Sequence, residues 1–311
     1  STGYIFCSIN AGNVYNKGME LTISGTPVET KNLKWDVGLN VAGNRGTLDG
    51  LPAGMDVMYV TDVQYAGAQA ASFNGGNFMA IAGTEWKRYK YNPEDANSKK
   101  ELDGKLILDA NGMPTYTTSL SEVGNREAKF SGGLNNTLTW KNLSFNMLWE
   151  FRVGGDVING TKYAMTASGV SKFSGDVRNR ELTVTGIDAS GNAVSNTWST
   201  DKTYLFNGVE TSGYNIIQSY YTSYYPRETA NYITDVNLLR LRSLSVMYDF
   251  PKRWLDRIGF IKRASISASA NNLLLFTNYE GDPEVAASGA GVGGSSSVGF
   301  DYCGVPATSG M

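Results

Sequence analysis

The sequence contains no histidine and only two cysteines, Cys7 and Cys303, in 311 residues. Without histidine, Ser-His-Asp and Cys-His nucleophile systems and histidine-ligated metal sites are excluded. Two cysteines make neither a disulfide framework nor a metal cluster. Charge is sparse as well. Asp, Glu, Lys and Arg make up 18% of the chain, with a net charge of −2, against about 25% charged residues in ordinary soluble domains. A near-neutral chain lacks the basic surface that phosphate backbones require, so no nucleic-acid partner is expected. No run of about 18 apolar residues exists to form a transmembrane helix. The opening residues, Ser1-Thr2-Gly3-Tyr4, show neither the basic nor the apolar region of a signal peptide, and none is expected here.

What the chain does have is small polar residues and alternation. Gly (36), Ser (28), Asn (27) and Thr (25) together exceed a third of the sequence. From 142 to 153, Leu143, Phe145, Met147, Trp149, Phe151 and Val153 alternate with Asn142, Ser144, Asn146, Glu150 and Arg152. Leu148 is the one exception on the polar phase. This is a strand with one greasy face and one wet face. Phe130, Leu134, Leu138 and Trp140 form a matching strand, and Lys141-Asn142 reads as a tight hairpin turn. Met19, Leu21 and Ile23 pair with Leu33, Trp35, Val37, Leu39 and Val41 in an earlier hairpin, with Pro27 to Asn32 as its turn. A third hairpin carries Leu239 and Leu241 on one phase and Leu244, Val246, Tyr248 and Phe250 on the other. A bulge near Arg242-Ser243 reconciles the phases. Residues 251–262 connect it to a strand bearing Ala264, Ile266, Ala268 and Ala270.

Between the hairpins lie long polar stretches, roughly 45–127, 155–233 and 276–311. Compact soluble domains rarely carry loops beyond about 15 residues. Short turns at one end and very long loops at the other, on strands of about 10 residues, are the pattern of a transmembrane β-barrel. The fold class expected is therefore all-β: antiparallel transmembrane barrel strands with long loops. The alternative is a soluble β-rich binding module, in which Leu143, Phe145, Met147, Trp149 and Phe151 would be buried against a second sheet.

The residues also carry a resemblance. Phe130-Ser131-Gly132-Gly133-Leu134-Asn135-Asn136-Thr137-Leu138-Thr139-Trp140-Lys141-Asn142-Leu143-Ser144 resembles the late-barrel hairpin of the SusC/RagA family of TonB-dependent outer-membrane transporters. Phe151-Arg152-Val153-Gly154-Gly155-Asp156 continues it, and Asn16-Lys17-Gly18-Met19-Glu20-Leu21 resembles an upstream hairpin. Leu239-Arg240-Leu241-Arg242-Ser243-Leu244 resembles the penultimate region. Asn271-Asn272-Leu273-Leu274-Leu275-Phe276 followed by Gly281-Asp282-Pro283-Glu284 is the most specific stretch.

The resemblance implies that residues 1–311 are the C-terminal part of a 22-stranded barrel. The family's N-terminal plug, TonB-interacting segment and final strand are not recognisable in them. It further implies an outer-membrane nutrient importer of a Gram-negative bacterium. Its partners would be a SusD-like surface lipoprotein, the TonB complex acting through the plug, the lipid bilayer, and an oligosaccharide substrate, with peptides second. In the family's topology the long loops are extracellular.

The densest aromatic cluster, Tyr220, Tyr221, Tyr224 and Tyr225, with Trp198 and Tyr204 in the same loop, is a candidate for contact with substrate or lid. A headgroup-level aromatic belt or packing within the loop are the alternatives. Lys34, Asp36, Glu150 and Arg152 fall on the wet face and are expected in the lumen, paired with one another, holding a plug being the alternative; Arg240 and Arg242 read the same way. Gly154-Gly155 reads as a strand-end kink, since no Lys-Ser/Thr follows to make a phosphate loop. Asp109-Ala110-Asn111-Gly112 and Asp188-Ala189-Ser190-Gly191-Asn192 lack the carboxylates of a calcium loop and are read as turns. Residues 289–299 read as a flexible Gly/Ser loop. No metal, cofactor or catalytic residue is assigned, since no nucleophile–base pair is suitably spaced. An enzyme is not expected.

Overall fold

The alternating segments become one sheet of long strands in the computed structural model, which describes residues 12–60, 64, 66–95, 97–257, 259–285, 298–306 and 308–310. The first hairpin is β1 (Asn13–Glu29) and β2 (Leu33–Asp49). A four-stranded sheet follows, made of β3 (Val57–Tyr59), β4 (Ala68–Phe73), β6 (Ala80–Gly83) and β7 (Ser121–Asn125); the two-residue β5 (Gly76–Asn77) bridges back to β2. The second long hairpin is β8 (Phe130–Trp140) and β9 (Leu143–Asn159). The helices α1 (Gly160–Ala167) and α2 (Lys172–Val177) come next, then two small hairpins, β10 (Leu182–Ile187) with β11 (Ala193–Trp198) and β12 (Thr203–Phe206) with β13 (Val209–Ser212). Helix α3 (Gly213–Ser219) runs into a π-turn at Tyr220–Tyr224. The third long hairpin is β14 (Ile233–Asp249) and β15 (Ser265–Thr277), joined through the short helix α4 (Lys252–Leu255), and β16 (Phe300–Asp301) pairs in parallel with β9.

The long strands are ordered β1-β2-β8-β9-β14-β15, each antiparallel to its neighbour. This is an open up-and-down sheet. Register explains the sequence alternation. One cross-strand row reads Ile23, Leu39, Leu134, Trp149, Leu241 and Leu274; the next reads Leu21, Val41, Gly132, Phe151, Leu239 and Phe276. The opposite face carries Asp36, Thr137, Asn146, Ser245 and Ser269 in one row. Paired residues point to the same side of a sheet, so six strands share one apolar face and one polar face.

The residues expected to discriminate barrel from soluble module, Leu143, Phe145, Met147, Trp149 and Phe151, lie on the apolar face and are partly exposed. Among the described residues no second sheet covers them, and none joins a buried cluster. Exposed Leu21, Ile23, Ile266 and Phe276 extend the same surface. The buried clusters lie in the loop layer and against the upper polar face, where Val157, Val236, Leu238 and Tyr279 meet.

The structure refines several boundaries. β1 continues to Glu29 through a register shift between Gly25 and Val28, so Pro27 sits in a bulge and the turn is confined to residues 30–32. A bulge tolerates proline because it needs no ladder N–H there. The expected bulge at Arg242 is present, between Leu241 and Ser243 on both sides of β14. Lys141, at φ +54°, makes the tight turn of the second hairpin. β15 begins at Ser265, just past the expected 251–262 connection, because Phe250 N–H closes the hairpin on Ala264 O at 3.0 Å and Trp254 packs on Phe250.

Gly154 and Gly155, at φ +76° and +90°, make a kink, but the strand does not end there; β9 runs on to Asn159. At about 3.3 Å per residue, its 17 residues span about 55 Å, more than the roughly 10 residues a membrane strand needs. The apolar alternation stops at Val153, and residues 157–160 are buried beneath the loops instead. The long stretches read as polar loops are therefore a folded layer on one end of the sheet.

Candidate functional site

The loop layer forms because its few apolar residues come from far apart in sequence. Leu108 N–H bonds Ile187 O at 2.8 Å, which joins the 84–117 segment to β10. Leu108, Met113, Val184, Trp198, Phe206, Ile216 and Tyr220 then close one core. Both turns anticipated in the sequence are closed by their own aspartates. Asp109 accepts from Asn111 N and Met113 N, and Asp188 accepts from Ser190 N and Asn192 N. The Asn192 side-chain amide also bonds Asp188 and holds its carboxyl below the usual range.

Helix α3 is capped by the Ser212 side chain, which accepts from Asn215 N at 3.3 Å. The tyrosine cluster lies on its continuation. Tyr220 is 8% exposed and Trp198 5%. This corrects their reading as ligand-facing rings: both belong to the loop core, because the 84–117 segment folds over them. Trp86 packs 6.3 Å from Tyr220 and donates its indole N–H to Tyr224 O at 2.9 Å. Tyr204 is committed as well, its hydroxyl accepting from Ser199 N at 2.8 Å. Tyr221, Tyr224 and Tyr225 remain partly exposed. Tyr221 stands edge-on to Tyr220 at 5.0 Å and to Phe173 at 5.6 Å. Burial raises the phenol pKa of all four cluster tyrosines, so their hydroxyls stay protonated and can donate. Tyr214, 42% exposed on the same helical face as Tyr221, was not singled out by the sequence. Only the helical spacing of seven reveals it.

The wet-face charges are paired. Lys34 meets Asp36 at 3.2 Å, and Thr26 donates to Asp36 at 2.6 Å. Glu150 pairs with Arg242, which also pairs with Glu284. Arg240, buried on the same face, meets Asp282 at 2.5 Å and Glu284 at 2.8 Å. Arg152 has a different role. Its guanidinium donates to the carbonyls of Gly154, Gly155 and Arg126 at 3.0–3.1 Å and fills the space over the glycine bulge. Two of the motifs that carry the family resemblance, around Arg240 and Asp282, are thus held together physically.

The segment after β15 is pinned at a second point. Tyr279 O–H donates to Asp301 at 2.8 Å, Thr161 O–H donates to the other oxygen of Asp301, and Ile158 N–H bonds Gly299 O. Cys303 is a free, exposed thiol. Cys7 and residues 289–297 of the glycine-rich loop lie outside the described residues. Among the described residues no group of metal-binding side chains occurs, and no helix is long and apolar enough to cross a membrane, which says nothing of strands.

Comparison with known proteins supports the resemblance. No protein-family model matches the chain. It is 24% identical over 288 residues to TonB-dependent receptor P3 of Formosa agariphila, covering 88% of this chain and 26% of that receptor. It is 23% identical over 280 residues to the TonB-dependent receptor SusC of Bacteroides thetaiotaomicron, covering 89% and 24%. Among solved structures, the RagAB peptide transporter superposes with a TM-score of 0.57 at 19% identity, over 96% of this chain and 29% of that one. The chain thus spans about a quarter of the length of the curated relatives it matches. Its antiparallel sheet matches part of the β-barrel of such receptors, and its homologues are receptors, not enzymes.

Proposed function

We propose that the chain is the C-terminal part of the β-barrel of an outer-membrane TonB-dependent nutrient importer. The observation that supports this best is the register. It gathers the apolar side chains of six strands on one uncovered face and the polar ones on the other. In lipid this is the arrangement a barrel wall needs, apolar outward and polar toward the lumen. Lys34, Asp36, Glu150 and Arg152 then line the lumen as a self-neutralised or bonded surface. The tight turns at 30–32 and 141 and the α4 connection are periplasmic, and the folded loop layer is extracellular.

In this reading a SusD-like lipoprotein closes over the loop layer, and TonB acts through a plug in the same barrel. The cargo is an oligosaccharide; peptides are the second reading, since the RagAB transporter is described as a peptide transporter. Disrupting the gene should abolish growth on one class of oligosaccharide as sole carbon source while leaving growth on the free monosaccharide intact. Unchanged growth on every oligosaccharide, with lost growth on peptides, would replace the sugar reading with the peptide one.

A further inference from the structure

A cleft of about 200 Å³ opens in the loop layer between two helical walls. One wall is α3 and its π-turn, presenting Tyr214, Gln218 and Tyr221 on one face; the other is the end of α1 with α2, presenting Ser168, Val177 and Arg178. No carboxylate lines it. Arg178 spends one N–H on Gly169 O at 2.6 Å, and a guanidinium has five donors in all. The Tyr221 ring is fixed by its edge-on contacts with Tyr220 and Phe173, so it is a preorganised platform rather than a mobile side chain. The π-turn sits at this point in the helix, and such turns concentrate at functional sites.

The size and chemistry narrow the ligand. Pockets for drug-sized ligands run about 300–1,000 Å³, so this cleft takes one ring-sized unit of roughly a dozen non-hydrogen atoms. Both walls are helical, and no strand of the structure lies among the residues lining the cleft. An extended peptide would find no strand edge to pair with. With no carboxylate and with the Arg178 guanidinium on its wall, the cleft disfavours an ammonium group. Two aromatic faces beside an amide and a guanidinium suit a ring with C–H faces and a hydroxyl rim.

We infer that this cleft binds one pyranose unit of the transported oligosaccharide, with its C–H face on Tyr214 and Tyr221 and its hydroxyls on Gln218 and Arg178. The choice of cargo rests on the importer reading; the binding site does not. The test uses the intact transporter in detergent micelles, with maltose, cellobiose and xylobiose as probes and dialanine as the control, read by saturation-transfer NMR. Binding of at least one disaccharide is expected. Tyr214→Ala and Gln218→Ala should each weaken it about tenfold, the loss of one ligand contact, with heat-modifiable gel migration unchanged. Tyr221→Phe, which keeps the packing, should weaken it less. No transfer to any disaccharide, transfer to dialanine alone, or unchanged affinity in both alanine variants would overturn the site. Disaccharide binding lost in those variants, in cells that show no import, would leave the cleft standing and sink the importer reading instead.

Discussion

Arg240 on β14 and Asp282, 42 residues later, form an ion pair at 2.5 Å with side chains only 3% and 7% exposed. The pair fastens the segment after β15 to the polar face of the wall. Glu284 extends it to Arg242, and Arg242 to Glu150, so two arginines are shared among three acids. Breaking one side of a buried pair leaves an uncompensated charge. Asp282→Asn is therefore expected to lower the unfolding free energy of the intact barrel by about 3 kcal/mol, at the low end for such pairs because Glu284 remains. Replacing both residues, Arg240→Met with Asp282→Leu, should cost clearly less than the sum of the single changes. Denaturant unfolding from lipid vesicles measures both, and additive losses would show that the two residues are not coupled.

On β9, substitutions at Phe145 and at its neighbour Asn146 should differ in cost. Phe145→Arg puts a charge on the uncovered apolar face and should cost about 2–4 kcal/mol near mid-bilayer. Asn146 bonds Thr137 at 2.9 Å and Ser245 at 3.3 Å on the polar face. Its change to Ala should cost about 1 kcal/mol. The same vesicle-folding assay compares them, and equal costs would remove the face assignment.

The loop layer should loosen in alkali. Burial is the main cause raising the pKa of Tyr220, Tyr221, Tyr225 and Tyr232 above the ordinary tyrosine value of 10.0. Each prefers its neutral form when folded. Above about pH 10 the unfolded layer binds fewer protons than the folded one, so stability is complete below pH 10 and falls as pH rises. Tyrosinate absorbance should show these rings ionising late and together, with the loss of the loop layer, while strand circular dichroism persists. Independent titration of every tyrosine near pH 10 would contradict the packing.

The six-strand sheet is open, with β1 and β15 at its edges. Unpaired edges are not tolerated in hydrocarbon. Residues 1–311 on their own should therefore give neither heat-modifiable migration nor single-channel conductance. Either signal from the isolated chain would mean that the sheet closes by another route.

The sheet was legible because a sheet with one apolar and one polar face separates the two residue types at every second position, as in Leu143 to Val153. The bulge at Arg242 was legible for the same reason: a phase change along Leu239 to Phe250 has no other economical explanation. The loop layer was not. Its core joins Leu108 to Ile187 and Trp86 to Tyr220, contacts that no local period announces. Aromatic density at 220–225 looked like a surface feature, yet Tyr220 is core. Arg240 and Asp282 stood out separately, but nothing in their spacing tied one to the other. Pro27, a turn residue by composition, sits in a bulge because the strand can do without its N–H.

In the proposed barrel wall, one face of this sheet meets lipid and the other meets water. Spin labels placed singly at positions 143 to 151 of the intact transporter in lipid nanodiscs test it directly. Accessibility to oxygen should peak at 143, 145, 147, 149 and 151, and accessibility to a water-soluble nickel chelate should peak at the even positions between them. A profile without a two-residue period, or one with the two phases exchanged, would rule out lipid contact on the apolar face.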